Sequence, residues 1–179
     1  EANRGIEGDG GDGTDFSAPM VANLTIIGND FDSADKDSEG VLLRDQTGAH
    51  IVNMLITGSA GMGECLEMDH DATVQGNLTD GDITIQNSYI SCADPFRDDP
   101  VQESETVTVT RLDLTDWFTG EATNELVDFE NRSSLGLNPD GSLTSESPLL
   151  TEGTDPALAL DGFFETNTIV GAVGTNDWR

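Results

Sequence analysis

The sequence is short of base. Its 179 residues hold one lysine, Lys36, and six arginines against 22 aspartates and 13 glutamates, for a formal net charge of −28. Such a surface repels nucleic acid and anionic membranes, so functions built on a polyphosphate or phospholipid partner are excluded. It suits divalent cations and high salt, where self-repulsion is screened. No apolar run is long enough to cross a bilayer. No signal peptide opens the chain, and the expectation is a mature or partial form. No nucleophile elbow, P-loop or dinucleotide fingerprint is present. His50 and His70 lie 20 residues apart, with no Cys or His spacing for zinc. Hydrophobic residues make up 35% of the chain, which suffices for a thin, elongated core.

What is present is a repeat. Val21-Ala22-Asn23-Leu24-Thr25-Ile26-Ile27-Gly28 aligns with Ile51-Val52-Asn53-Met54-Leu55-Ile56-Thr57-Gly58, and again with Ile85-Gln86-Asn87-Ser88-Tyr89-Ile90-Ser91-Cys92, at spacings of 30 and 34 residues. A fixed register at such a period marks a solenoid. Apolar residues take the first, fourth and sixth positions, except that the third copy has Ser88 at the fourth, so the period-two alternation of a strand slips by one residue at the Asn. A bend explains the slip, because Asn tolerates left-handed backbone angles better than most residues. Each copy therefore reads as strand, Asn bend, strand. Stacking would set Asn23, Asn53 and Asn87 above one another, about 4.8 Å apart, with their amides bonding along the stack as an Asn ladder.

A second series interleaves with the first: Arg4 to Asp9, Gly40 to Asp45 and Glu64 to Asp69 each precede an Asn copy. Each coil thus has at least two strands, joined by loops of varying length, as a β-helix permits. Cys65 and Cys92 lie 27 residues apart, about one circuit, and the expectation is a disulfide. Two buried free thiols are the alternative. The fold expected is all-β, a right-handed parallel β-helix over 1–95.

Asp94-Pro95-Phe96-Arg97-Asp98-Asp99-Pro100 reads as a breaker cluster that ends the repeats. Residues 96–179 then form a mixed C-terminal cap packed on the last coil. It contains a strand over Gln102 to Arg111, one short helix within Leu112 to Leu126 and a turn at Asn138-Pro139-Asp140-Gly141. Further strands are expected at Ser147 to Leu150 and Phe163 to Val173. Trp117, Phe118, Phe163, Phe164 and Trp178 supply the cap's packing core, in preference to a ligand platform.

Several of these segments carry a resemblance. Asn3-Arg4-Gly5-Ile6-Glu7, Asn23 to Gly28, Gly40 to Arg44, Gly63 to Glu67, Ser91-Cys92-Ala93 and the tail Ile169 to Trp178 resemble a family of secreted proteins from Gram-negative, often marine, bacteria. Its members are mostly unannotated or called right-handed β-helix proteins or lipoproteins. The resemblance covers nearly the whole chain, aligned to the C-terminal part of longer members. It implies secretion, a missing N-terminal β-helix portion and a matching cysteine pair, and it supplies no catalytic residues.

The acidic loops carry the best chemical signal. Asp35-Lys36-Asp37-Ser38-Glu39-Gly40 has the alternating spacing of a calcium loop, in which oxygens converge on a hard cation and Gly allows the sharp turn. Asp30 and Asp32 stand just upstream as further ligands. Position twelve is Gln46 instead of Glu, and no helices flank the loop. Gly10 to Asp15 resembles one calcium-binding β-roll nonapeptide, with Asp12 and Asp15 as ligands. As a lyase-type base, Arg44 is the candidate, although an Arg beside Asp45 also reads as a surface ion pair. Glu67 and Asp69 share one side of a strand as a carboxylate pair.

The function expected is structural: a non-enzymatic extracellular or cell-surface β-helix, stabilised by Ca²⁺, that stacks end to end into fibres through an open first coil. Its partners would be other copies of itself or the missing N-terminal portion. The alternative is a protein that binds or cleaves polysaccharide.

Overall fold

The computed structural model describes residues 5–10, 17–28, 39–44, 47–62, 64–68, 80–98, 114–139 and 141–174. Their strands form three parallel sheets. The first holds β1 (Ile6–Asp9), β4 (Val41–Arg44), β7 (Glu64–Met68) and β10 (Asp94–Asp98). The second holds β2 (Met20–Ala22), β5 (Ala49–Val52) and β8 (Ile83–Gln86). The third holds β3 (Thr25–Ile27), β6 (Leu55–Thr57), β9 (Tyr89–Ser91) and β11 (Glu125–Leu126). From β1 to β10 neighbours within a sheet are three strands apart in sequence, so the chain visits each sheet in turn and then climbs one rung; β11 joins β9 without a described second-sheet strand between β10 and it. This is a parallel β-helix, with three strands per coil.

The corner between the second and third sheets is the Asn bend. Asn23, Asn53 and Asn87 have φ of 56°, 58° and 49°. They are the positive-φ residues other than glycine among those described. Left-handed backbone at a tight corner favours Asn, and the bend turns each strand pair so that residues on either side of it face the interior. Val41, Leu43, Ile51, Met54, Ile56, Leu66, Ile83 and Ile90 are buried inside the coils. The first coil is less enclosed: Ile6, Val21, Leu24 and Ile26 are only partly buried against the same core. Ser88 interrupts the apolar column, yet its hydroxyl donates to Gln86 O at 2.9 Å and accepts from Met54 N at 3.1 Å. A buried hydroxyl with both roles filled costs little.

The coils do not end at residue 95. Asp94 pairs with Glu64 and Phe96 with Leu66, so the supposed breaker cluster is a fourth rung of the first sheet. Pro95 is tolerated because β10 is an edge strand, where a missing N–H breaks no ladder. Glu125 and Leu126 then pair with Tyr89 and Ile90 and extend the third sheet. Between them, helix α1 (Leu114–Gly120) closes the core at this end. Leu114 and Phe118 are buried in the coil interior, Trp117 packs against it, and the Phe118 ring lies 5.6 Å from that of Phe96. The helix falls within the stretch expected to hold it. Asn124 stops it by turning its amide onto Phe118 O at 3.1 Å and Ile85 O at 2.8 Å.

Residues 127–174 are not a lid on the last coil. The described ones, 127–139 and 141–174, run along the outer face of the third sheet as a strap. Leu135, Leu143, Leu149 and Val170 form a second core there with the outward-facing Leu55 and Tyr89. The segment expected as a strand at Ser147 to Leu150 is a 3-10 helix, Pro148–Leu150. Pro148 is preorganised for its first position, and the Ser147 hydroxyl accepts from Leu149 N at 3.3 Å. Phe163 to Val173 carries no strand among its described residues. The turn at Asn138 forms, with Gly141 N donating to Asn138 O at 2.9 Å. Of the aromatics expected to pack a cap, Phe118 belongs to the coil core. Phe163 is 87% exposed and stacks edge-on only with Phe164. The strand expected over Gln102 to Arg111, and Trp178, lie outside the described residues.

Candidate functional site

Three places in the fold bring polar chemistry together. The first is the outer face of the first sheet. The register sets Asp9 beside Arg44 and Glu7 beside Leu42. Arg44 Nη2 lies 2.7 Å from Glu7 Oε1 and 3.6 Å from Asp9 Oδ2. The candidate base is thus a guanidinium held between two carboxylates. Its sequence neighbour Asp45 lies outside the described residues, so the cross-strand carboxylates were the partners that sequence order alone did not offer. Glu67 is buried on β7, while Asp69 lies outside the described residues. His50 Nδ1 is 3.0 Å from Thr84 Oγ1 on the next rung, and His70 lies outside the described residues.

The acidic candidates divide in the same way. Glu39 is described: it is buried just before β4, and its carbonyl accepts from Gly5 N at 3.2 Å. Asp12, Asp15, Asp30, Asp32, Asp35 and Asp37 lie outside the described residues. Among the described residues no group of three or more His, Cys, Asp or Glu is placed to hold a metal.

The second place is the Asn corner. Stacking of Asn23, Asn53 and Asn87 follows from the register, but their amides do not form a ladder. They face outward and hold the strap. Asn53 donates to Thr154 O at 2.8 Å and accepts from Thr154 N at 2.8 Å, much as a neighbouring strand would. Asn23 exchanges two hydrogen bonds with the Asn167 amide, at 2.8 and 3.2 Å, and also donates to Ile169 O. Asn87 donates to Glu152 O at 3.3 Å. The physical reason is competition: backbone groups of the strap are strong partners that would otherwise be left unpaired against the coil. On the fourth rung Thr123 replaces Asn, and its hydroxyl accepts from Asn87 N at 3.1 Å.

Cys65 and Cys92 form a disulfide with a Cα separation of 6.0 Å, closing the third coil inside the core. Nearby, burial pushes the Tyr89 hydroxyl up to about 12, and the charges of Glu125 and Glu152 and a hydrogen bond to Glu125 add to the shift.

A family model described as a pectate-lyase-like beta helix domain matches residues 1–131. The chain belongs to this family. The matched region takes in every coil, α1 and β11, and stops inside the 3-10 helix Phe129–Leu135. Most of the strap therefore lies beyond the family's domain, although it is bonded to three of that domain's turns. Neither curated proteins nor solved structures gave a match. No described helix of this beta helix protein is long and apolar enough to cross a membrane.

The third place is a cleft of about 570 Å³ where the strap leaves the coils. Ile27 and Thr57 form its floor, at the ends of β3 and β6. Glu130 and Arg132 line one wall, on the 3-10 helix, and Leu137 and Asn138 the other. Sequence reasoning missed these residues because the strap was expected elsewhere. One signal was available: Ile27 is apolar at the outward position where the next rungs carry Thr57 and Ser91.

Proposed function

We propose that this protein is a non-enzymatic β-helix scaffold that works outside the cell, at the surface or in the surrounding matrix. One observation carries the reading. The strap is hydrogen-bonded to the Asn corner of three successive coils, which joins them into one mechanical unit. Arg44, the candidate base of the competing lyase reading, is engaged by two carboxylates. A disulfide in the core is consistent with an oxidising compartment.

Calcium belongs to this proposal through the acidic stretch that leads into Glu39. The expected outcome is a fall in melting temperature with chelator at constant ionic strength, since a ligand of the native state stabilises it as RT ln(1 + [L]/Kd). An unchanged melting temperature removes calcium from the proposal.

Assembly is proposed in a narrower form than end-to-end fibres. Repeated stacking needs two open ends, and α1 lies over the core at the fourth rung. The partly buried first coil is the surface assigned to another β-coil, of a second copy or of an N-terminal portion, and sedimentation of this chain should find discrete association without long fibres. The scaffold reading itself is tested by incubating the protein, with Ca²⁺, with polygalacturonate and alginate and measuring unsaturated and reducing ends. No release is expected. Release that survives Arg44→Ala would place catalysis elsewhere, and release abolished by it would restore the lyase reading; either overturns the non-enzymatic proposal.

A further inference from the structure

We infer that the cleft beside the third sheet is a binding site for a short neutral saccharide. Its shape comes from how the strap departs. On the second and third rungs the strap covers Leu55 and Tyr89. On the first rung it stays bonded at Asn23 and Thr25 but leaves Ile27 52% exposed. Ile27, with Leu137, gives an aliphatic surface suited to the C–H face of a sugar ring. About 570 Å³ falls within the range of roughly 300–1,000 Å³ usual for small-ligand sites.

The walls supply both hydrogen-bonding roles. Arg132 is set in place before any ligand arrives: its guanidinium carbon sits 4.1 Å above the Phe129 ring and its Nη1 donates to Phe129 O at 3.0 Å. The guanidinium has five N–H donors in all, so others remain to meet a ligand. Glu130 accepts only, and the Asn138 amide both donates and accepts. A sugar hydroxyl needs both kinds of partner.

The wall is fixed at its two ends. Asp128 caps the 3-10 helix through Glu130 N at 2.9 Å, and Gly136, at φ 66°, ends it. Leu135 anchors it from below, 1% exposed. Ligand class follows from charge. Glu130 offsets Arg132 locally, and the chain as a whole carries −28. A uronate would gain no net attraction locally and would meet the repulsion of the whole chain, whereas a neutral ring meets none.

The test is calorimetric titration of the full chain with neutral hexose oligomers from glucan, mannan and galactan, beside galacturonate oligomers of equal length. At least one neutral oligomer should bind, with Kd at or below about 1 mM. Arg132→Ala should weaken it about tenfold or more, which corresponds to about 1.4 kcal/mol. Ile27→Thr copies the residue of the next rung and should weaken it too, with the melting temperature unchanged. Absence of binding to every neutral oligomer overturns the proposal. Binding that ignores both substitutions overturns the location, and preference for galacturonate overturns the ligand class.

Discussion

Replacing Asn53 tests the Asn corner most directly. Asn53 is fully buried, its φ is 58°, and its amide makes both hydrogen bonds to Thr154. Asn53→Ala removes two bonds worth about 1 kcal/mol each. It leaves the Thr154 N–H and C=O against the coil without partners, at about 1 kcal/mol or more. Alanine at left-handed φ adds about 1 kcal/mol. The expected loss is about 4 kcal/mol. For a domain of this size 1 kcal/mol moves Tm by about 2–4 °C, so the melting point should fall by about 8–16 °C. Asn53→Gly keeps the left-handed turn without the Cβ and should recover about 1 kcal/mol of that loss. Urea unfolding of the three proteins, analysed at constant m, measures both steps. A loss below about 1 kcal/mol for Asn53→Ala, or a glycine variant less stable than the alanine one, would refute the reasoning.

Three other outcomes follow from the same geometry. A Cβ at Gly153 would sit 2.7 Å from Thr168 O, a backbone atom, and 2.9 Å from Asn53 Oδ1; Gly153→Ala should therefore cost about 1–3 kcal/mol in urea unfolding, although the site lies outside the coils. Reducing Cys65–Cys92, a loop of 27 residues, should cost about 3.5 kcal/mol on the chain-entropy estimate, and a Cys65→Ala/Cys92→Ala double variant should be insensitive to reductant. Tyr89 is the only tyrosine, so ultraviolet titration reads it alone: its midpoint should lie near 12 in the folded protein. Because the folded value is raised above the unfolded value of about 10, the unfolded chain loses this proton first, and the stabilisation held below pH 10 should drain away as pH rises toward 12. Tyr89→Phe should flatten that alkaline limb.

The coils were legible because their rules are local. A left-handed corner restricts the residue to Asn or Gly, so three Asn at near-constant spacing betray the bend, and one circuit of chain brings Cys65 to Cys92. The fourth rung was hidden by Pro95, whose meaning depends on whether the strand has a neighbour on its other side. That is a fact of topology, not of sequence. Its third-sheet strand is only two residues long, with Thr123 in place of Asn, so the repeat fades below recognition there. The strap was unreadable for a different reason. Leu55 and Tyr89 stand at outward positions and are apolar, which announces that something covers the third sheet. Nothing local says which segment does so, and the contacts span up to 148 residues. The saccharide cleft inherits that difficulty, because Ile27 and Thr57 are likewise far in sequence from Glu130, Arg132, Leu137 and Asn138.

The strap also changes what kind of solenoid this is. In a simple stack each coil touches only its neighbours, and stability is a sum of coil and interface contributions that can fail piecemeal. Here one segment bonds the first coil through Asn23–Asn167, the second through Asn53–Thr154 and the third through Asn87–Glu152. The partly buried first coil has the fewest core contacts to hold it, so it gains most from the link. Two consequences can be measured. Calorimetric and van't Hoff enthalpies should agree for the intact chain, as for a single cooperative unit. In Asn23→Ala the van't Hoff enthalpy should drop below the calorimetric one, because the first coil is released to unfold early. A double-mutant cycle on Asn23 and Asn167 should give a coupling of about 1 kcal/mol, within the range for residues in contact. A ladder running along the coils assigns Asn167 no role and predicts no coupling. Zero coupling, with cooperativity unchanged in Asn23→Ala, would mean that the strap lies on the coils without binding them together.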